Sequence, residues 1–258
     1  MRLGPAEFVV FMNRRRQSGH QPKGGILAIA ITAAAAAGVL GLSMALAATN
    51  GKVISNPWAG LTDEQKQAQV DAAHAANDRF LQELQARNGD PRTLPVIRIS
   101  PYALPASSMG VAVRQAALVV HGRVTAIHFA SNPGGGMPTM SATVQTLSVG
   151  KGSIAATLTV VQAGGPVAQG TGGALVEFDD EDLMFAGDEV LLILASPPNT
   201  GGFVPIYGPG VQKIVNGTLS GRSAVRYGID GQSYDTVWSA LVDPSLPASA
   251  FPIRASAD

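Results

Sequence analysis

Residues 116–127 read AALVVHGRVTAI, and the fold class turns on that run. The aliphatic block Leu118, Val119 and Val120 is followed by alternation through Val124 and Ile127. Alternation is the period of a strand with one buried face, whereas a helix repeats its apolar positions every three to four residues. Further runs repeat the pattern downstream. Thr143, Val144, Thr146 and Leu147 mark a second strand over 139–149, ATLTVV a third at 156–161, and residues 174–178 a fourth. VLLILA at 190–195 has no polar position, so it predicts a strand buried on both faces. Residues 203–207 and 211–215 follow and end at Asn216-Gly217, a pair that tolerates positive φ and predicts a tight hairpin. Gly or Pro separates nearly every pair of runs. Six or seven short strands with this punctuation predict a mainly β domain over residues 105–235, a small antiparallel barrel or sandwich.

Upstream of the strands the periodicity becomes helical. Thr62-Asp63-Glu64-Gln65 fits a capping box, in which the Thr hydroxyl and Gln side chain satisfy free amides. Val70, Ala73, Phe80, Leu81 and Leu84 recur at helical spacing, and Asn88-Gly89 supplies a stop before Pro91. A helix over about 61–88 is expected as a stalk or lid within residues 49–104. The rest of that segment, with Pro91, Pro95, Pro101 and Pro105, reads as an extended connector. At the other end, residues 234–241 predict a helical turn, and 236–258 a C-terminal turn and loose tail.

Further upstream lies an uncharged run at 24–48, GGILAIAITAAAAAGVLGLSMALAA, preceded by Arg14, Arg15, Arg16 and Lys23. Twenty-five helical residues reach roughly 37 Å, enough for a hydrocarbon core of about 30 Å with some tilt. Ile26, Leu27, Ile29, Ile31, Val39, Leu40, Leu42 and Leu46 are the positions that favour insertion, the remainder being mainly Ala and Gly. The basic residues of segment 1–23 place the N-terminus in the cytoplasm and the C-terminal part outside it. Two fates stay open: a retained single-pass anchor, or cleavage after Ala47 at a small-x-small site, giving a secreted domain. The first residues include an apolar patch, Phe8-Val9-Val10-Phe11, and beginning at Met12 gives a cleaner basic leader. Ala33, Ala37, Gly41 and Ala45 form a stripe of small residues suited to weak self-association of the helix.

Charge and composition narrow the function. The whole chain is neutral, but the segment to Lys23 carries five basic residues and one acidic residue, leaving 13 basic and 17 acidic beyond it. A mildly acidic exported part has no electrostatic case for binding nucleic acid or anionic lipid. The chain has no Cys, which removes disulfides, Cys-ligated zinc and a Cys nucleophile together. Stability must then come from a core, for which about 130 residues suffice.

The order LVVHGRVTAI, TVQTLSVGKGS, VVQAGG, FAGDEVLLILA, GPGVQKIVNG across residues 116–220 resembles a module of bacterial exported or membrane-anchored proteins of unknown function. The resemblance implies a small β-barrel ectodomain of five to seven strands, similar to OB-type and netrin-like folds. The Cys staples of netrin-like domains are absent here, and no family active site comes with the resemblance.

The densest polar cluster is Glu177, Asp179, Asp180, Glu181, Asp182, Asp188 and Glu189. Asp179, Asp180 and Asp182 are the candidate metal ligands, since calcium takes six to eight oxygens. Against that, Met184 and Phe185 interrupt an EF-hand pattern, and a charge run without ligand spacing reads as a solvated loop. His121 and His128 are seven apart, which on a regular strand places them on opposite faces; a bulge at Gly122 would change that parity. No serine-hydrolase elbow, phosphate loop or dinucleotide fingerprint is complete, so no catalytic residue and no cofactor are assigned. The Gly/Pro-rich loops at 131–138, 164–173 and 197–202 are the expected contact surface of the barrel. The leading expectation is a non-catalytic, membrane-anchored extracytoplasmic protein that binds or scaffolds another envelope protein, as an accessory subunit of a membrane complex. The alternatives are a divalent-metal-dependent hydrolase or metal-binding protein built on residues 177–189, and a small-ligand carrier using the barrel mouth.

Overall fold

A computed structural model describes residues 60–100, 103–130, 137–169, 172–197 and 202–254. The span expected at 24–48, its small-residue stripe and the choice of start at Met12 lie outside these residues. Among the described residues no helix is long and apolar enough to cross a membrane. The domain is mainly β, with antiparallel pairing dominant and a few short helices around it.

Helix α1 (Asp63–Ala86) starts where the capping box places it. The Thr62 hydroxyl accepts from Gln65 N and the Gln65 side chain accepts from Thr62 N. It ends in a left-handed Asn88 (φ 47°), with Gly89 N donating to Leu84 O and Asn88 N to Gln85 O, which satisfies two of the free terminal carbonyls. The helix lies along the domain. Asn77 is buried and its Oδ1 accepts from Ala168 N at 2.8 Å, while the Phe80 ring packs against the Cα of Gly173.

The expected connector is more ordered than its prolines suggest. Pro91 opens a 3-10 turn capped by Asp90, and β1 (Val96–Ile99) then pairs in parallel with β6 (Gly172–Phe178). Proline removes a donor but leaves its carbonyl free, and Pro95 O accepts from Leu175 N at 2.8 Å. With β5 (Gly165–Gln169) on the other side of β6, these strands form a small sheet. A second unexpected element, helix α2 (Met109–Gln115), is capped by the Ser108 hydroxyl, which accepts from Val111 N. Gly110 allows it to approach the Pro247 and Ala248 carbonyls, which a Cβ would strike.

The large sheet contains β2 (Leu118–Ala130), β3 (Thr139–Lys151), β4 (Thr157–Ala163), β7 (Glu189–Ala195), β8 (Val204–Pro205), β9 (Val211–Val215) and β10 (Thr218–Ser220). β7 pairs with β2, β2 with β3, and β3 with β4. Phe203 joins β4, its N–H donating to Thr159 O at 3.0 Å and its carbonyl accepting from Val161 N at 2.8 Å. β8 then pairs with β7. Hydrogen bonds therefore run all the way round from β7 through β2, β3, β4 and residues 203–205 back to β7. β9 pairs with Glu189 to Leu192 on the edge of β7 that β8 uses further along, and β10 continues the sheet through Asn216 (φ 51°) and Gly217 (φ 75°), the positive-φ pair a two-residue hairpin needs.

β7 is the hinge between two cores. Val190, Leu192 and Leu194 enter the interior of the ring with Val120, Val124, Met140, Val144 and Val160. Leu191 and Ile193 face the other way, into a second core with Val119, Ile214, Leu219, Tyr227 and Val237. All five β7 residues from Val190 to Leu194 are fully buried. The second core is roofed by α2, α3 (Arg222–Arg226), α4 (Tyr234–Leu241) and the C-terminal chain, a cap over the outer face of the ring. The C-terminal segment expected as a loose tail belongs to this cap. Met109 N donates to Phe251 O, Ile253 N to Ser107 O and Arg254 N to Arg226 O, and Leu246, Phe251 and Ile253 pack on the core.

Candidate functional site

The acidic run begins where β6 leaves the small sheet, and three residues later the chain turns inward. Leu183 and Met184 are buried in the ring core and Phe185 closes over it. Residues 180–182 are thereby held against the cap, in a setting unlike the solvated loop that their charge suggests, while Asp179 stays exposed beside the end of β1. Arg222 and Arg226 sit one helical turn apart on α3 and meet them. Arg222 Nη2 lies 2.9 Å from Glu177 Oε2 and its Nε 3.4 Å from Asp182 Oδ1. Asp182 also accepts from Ser223 N at 3.3 Å. Arg226 pairs with Asp180, which further accepts from the Tyr207 hydroxyl at 3.1 Å. Asp179 is bonded by the Ser100 hydroxyl.

Glu181 differs from its neighbours in having no ionic partner of its own among the described residues. It is 7% exposed, and its Oε1 accepts from Gly208 N at 3.3 Å. Burial pushes its carboxyl up to about 7, against the opposing pull of that hydrogen bond and of the Gln162 amide. Burial likewise raises the Tyr207 and Tyr227 phenols to about 12, so both stay neutral near Glu181. The candidate ligands Asp179, Asp180 and Asp182 thus lie in one seam but turn to different partners. Among the described residues no three His, Asp or Glu side chains converge as a metal site.

The other two acids of the cluster lie elsewhere, and sequence reasoning missed their arrangement. Glu189 Oε1 is 2.8 Å from His121 Nε2, and its Oε2 is 3.2 Å from Arg123 Nη2. The His121 hydrogen bond is the main influence holding the Glu189 carboxyl below its usual range, with Arg123 adding to it. The His121 ring lies 4.4 Å from that of Tyr234 and 6.4 Å from that of Trp238. Asp188 caps the turn through Phe185 N and pairs with Lys213 Nζ at 2.9 Å. An open depression of about 540 Å³ follows, lined by Arg123, Asp188, Glu189, Lys213 and Asn216. A histidine oriented by a carboxylate suits proton transfer, but among the described residues no hydroxyl is hydrogen-bonded to His121. The only sequence signal for this pair was the strand order, because β2 and β7 are 68 residues apart at His121 and Glu189.

His128 takes no part in it. The extra residue on β2 is Thr125, which falls between the pairs Val124–Val144 and Ala126–Thr143. Its hydroxyl donates to Thr143 O at 3.1 Å. The bulge switches parity, so Ile127 and Phe129 join Val120 and Val124 at the ring core. His121 and His128 therefore both alternate outward, yet stand roughly 23 Å apart along the strand.

No family model matches the chain, and none of the curated proteins matches it.

Proposed function

We propose that the protein is a membrane-anchored extracytoplasmic module that binds or scaffolds another envelope protein and has no catalytic activity of its own. One observation carries the non-catalytic part. Asp180, Asp182 and Glu177, the acids a metal or hydrolytic site would draw on, are spent on Arg222 and Arg226 within the fold. The ring of β2, β3, β4, residues 203–205 and β7 supports a small barrel similar to the OB type, as the resemblance of residues 116–220 implies. Its interior is filled by Leu183, Met184 and strand side chains, which favours a scaffold over a carrier with its ligand in the barrel. The basic leader and the apolar run at 24–48 support an N-in single-pass anchor, with residues 105–235 and the cap outside the cytoplasm.

The test is purification of the full chain from native membranes through a C-terminal tag, followed by sequencing of its N-terminus. A chain that keeps residues 24–48 and carries one stoichiometric companion, which in turn recovers it when tagged, is the expected result. A soluble chain beginning near Ala48 with no companion would overturn both the anchor and the scaffold.

A further inference from the structure

Three consecutive side chains, Asp180, Glu181 and Asp182, fasten the strand domain to its cap, and they do so unequally. Asp180 holds Arg226 and the Tyr207 hydroxyl, and Asp182 holds Arg222 and Ser223 N. Between them, the Glu181 carbonyl accepts from Arg222 Nη2 and its carboxyl accepts from Gly208 N in the turn before β9. The flanking residues are ion pairs, while the central one is a buried carboxyl with little to neutralise it. Around it stand Asp179 and Asp182 from its own segment, Arg222 from α3, Gln162 from β4, Tyr207 from the turn after β8, and Tyr227 from the end of α3. Arg222 is the one cation in that set and is committed to Glu177 and Asp182. Gln162 Nε2 donates to Asp182 O at 2.9 Å and also eases the ionised form of Glu181, but less than burial opposes it. A carboxylate here would be a buried anion beside another anion, whereas a carboxylic acid fits.

We infer that residues 180–182 form a proton-operated latch, which holds the cap against the barrel while Glu181 is protonated and lets the cap open when Glu181 ionises. The bistable element is the cap segment comprising the Tyr207–Gly208 turn and α3, tied to the barrel by this seam and by the second core. Opening exposes Glu181 to water, so the open state takes the carboxylate readily and the closed state resists it. The raised affinity of Glu181 for its proton sets the change near neutrality.

Amide hydrogen exchange on the full chain in detergent micelles tests this residue by residue. Protection factors remove the intrinsic pH dependence of exchange. Those of Gly208, Val225 and Tyr227 are expected to fall about tenfold between about pH 6 and about pH 8, from linkage of one proton. The β7 amides of Leu191 to Ile193 report global unfolding, which releases the same proton, so they should start from higher protection than the cap amides and fall by the same factor. In Glu181→Gln the cap amides should keep their protection across the same range. Cap amides as strongly protected as those of β7, no loss in the cap of the wild-type chain, or the same loss in Glu181→Gln would each overturn the latch. The lower protection of the cap than of β7, together with its fall with pH in the wild-type chain, decides the matter alone if the variant does not fold.

Discussion

The two sides of this domain's main junction are built from opposite materials. β7 joins the barrel to the cap with apolar side chains directed to both faces, while the seam at 177–182 joins the same two parts with ion pairs and one buried acid. The apolar joint is insensitive to pH and fails through cavities. Its polar counterpart contributes less to stability per contact, since charged groups give up water to pair, but it can respond to the medium. The first joint makes the fold and the second makes it adjustable.

The largest expected effect breaks the apolar side. Leu192 is fully buried in the ring core, so Leu192→Ala should cost about 2–5 kcal/mol, the lost transfer energy plus that of the cavity. Denaturant unfolding measures it. A loss well under about 1 kcal/mol would mean the site can collapse and that β7 does not organise the core.

The next effect is on the polar side and depends on pH. Glu181 in the folded chain holds its proton up to about 7, against an ordinary value of 4.5. Between these values the folded state binds more protons than the unfolded state, so stability falls as pH rises. The difference is complete above about pH 7 and amounts to about 3 kcal/mol relative to acid conditions. Glu181→Gln removes that slope. Its unfolding curve should gain on the wild type as pH rises and converge with it toward about pH 4.5. Parallel curves across the range would leave Glu181 without the role its burial suggests.

The apolar joint was legible in the sequence because VLLILA has a single reading at any register, and Asn216-Gly217 and Thr62-to-Gln65 carry their geometry locally. The polar joint was not. Asp180 and Asp182 find Arg226 and Arg222 across 46 and 40 residues respectively, and no local pattern encodes such a pairing. β1 escaped because four prolines dominate its neighbourhood, although Val96, Ile97 and Ile99 are good strand formers. Short helices such as α2 escaped because seven residues hold too little periodicity to stand out from strands. For His121 and His128 the bulge mattered, but it sits at Thr125, where nothing in composition marks it.

A third pair of regions sharpens the contrast. α1 rests on the small sheet through few groups, among them Asn77, which completes the hydrogen bonding of Ala168 at the edge of β5. Asn77→Ala should leave that donor unsatisfied at a cost of about 1–3 kcal/mol. If α1 were only a stalk, the change would pass unnoticed in denaturant unfolding.

The smallest effect is expected at the start of α1. Thr62 caps the helix through an exposed hydrogen bond of 3.2 Å to Gln65 N, reciprocated at 2.9 Å by the Gln65 side chain. Thr62→Ala removes the acceptor but leaves water to replace it, so about 1 kcal/mol of local helix stability should be lost. That loss should appear as faster exchange in the first turn of α1 with the β7 amides unchanged, because Val70 and Asn77 further along hold the helix down. Slower folding or weakened β7 protection in this variant would place the first turn of α1, as well as its middle, inside the cooperative unit. In that case the capping box would act on the barrel as well as on the helix it begins.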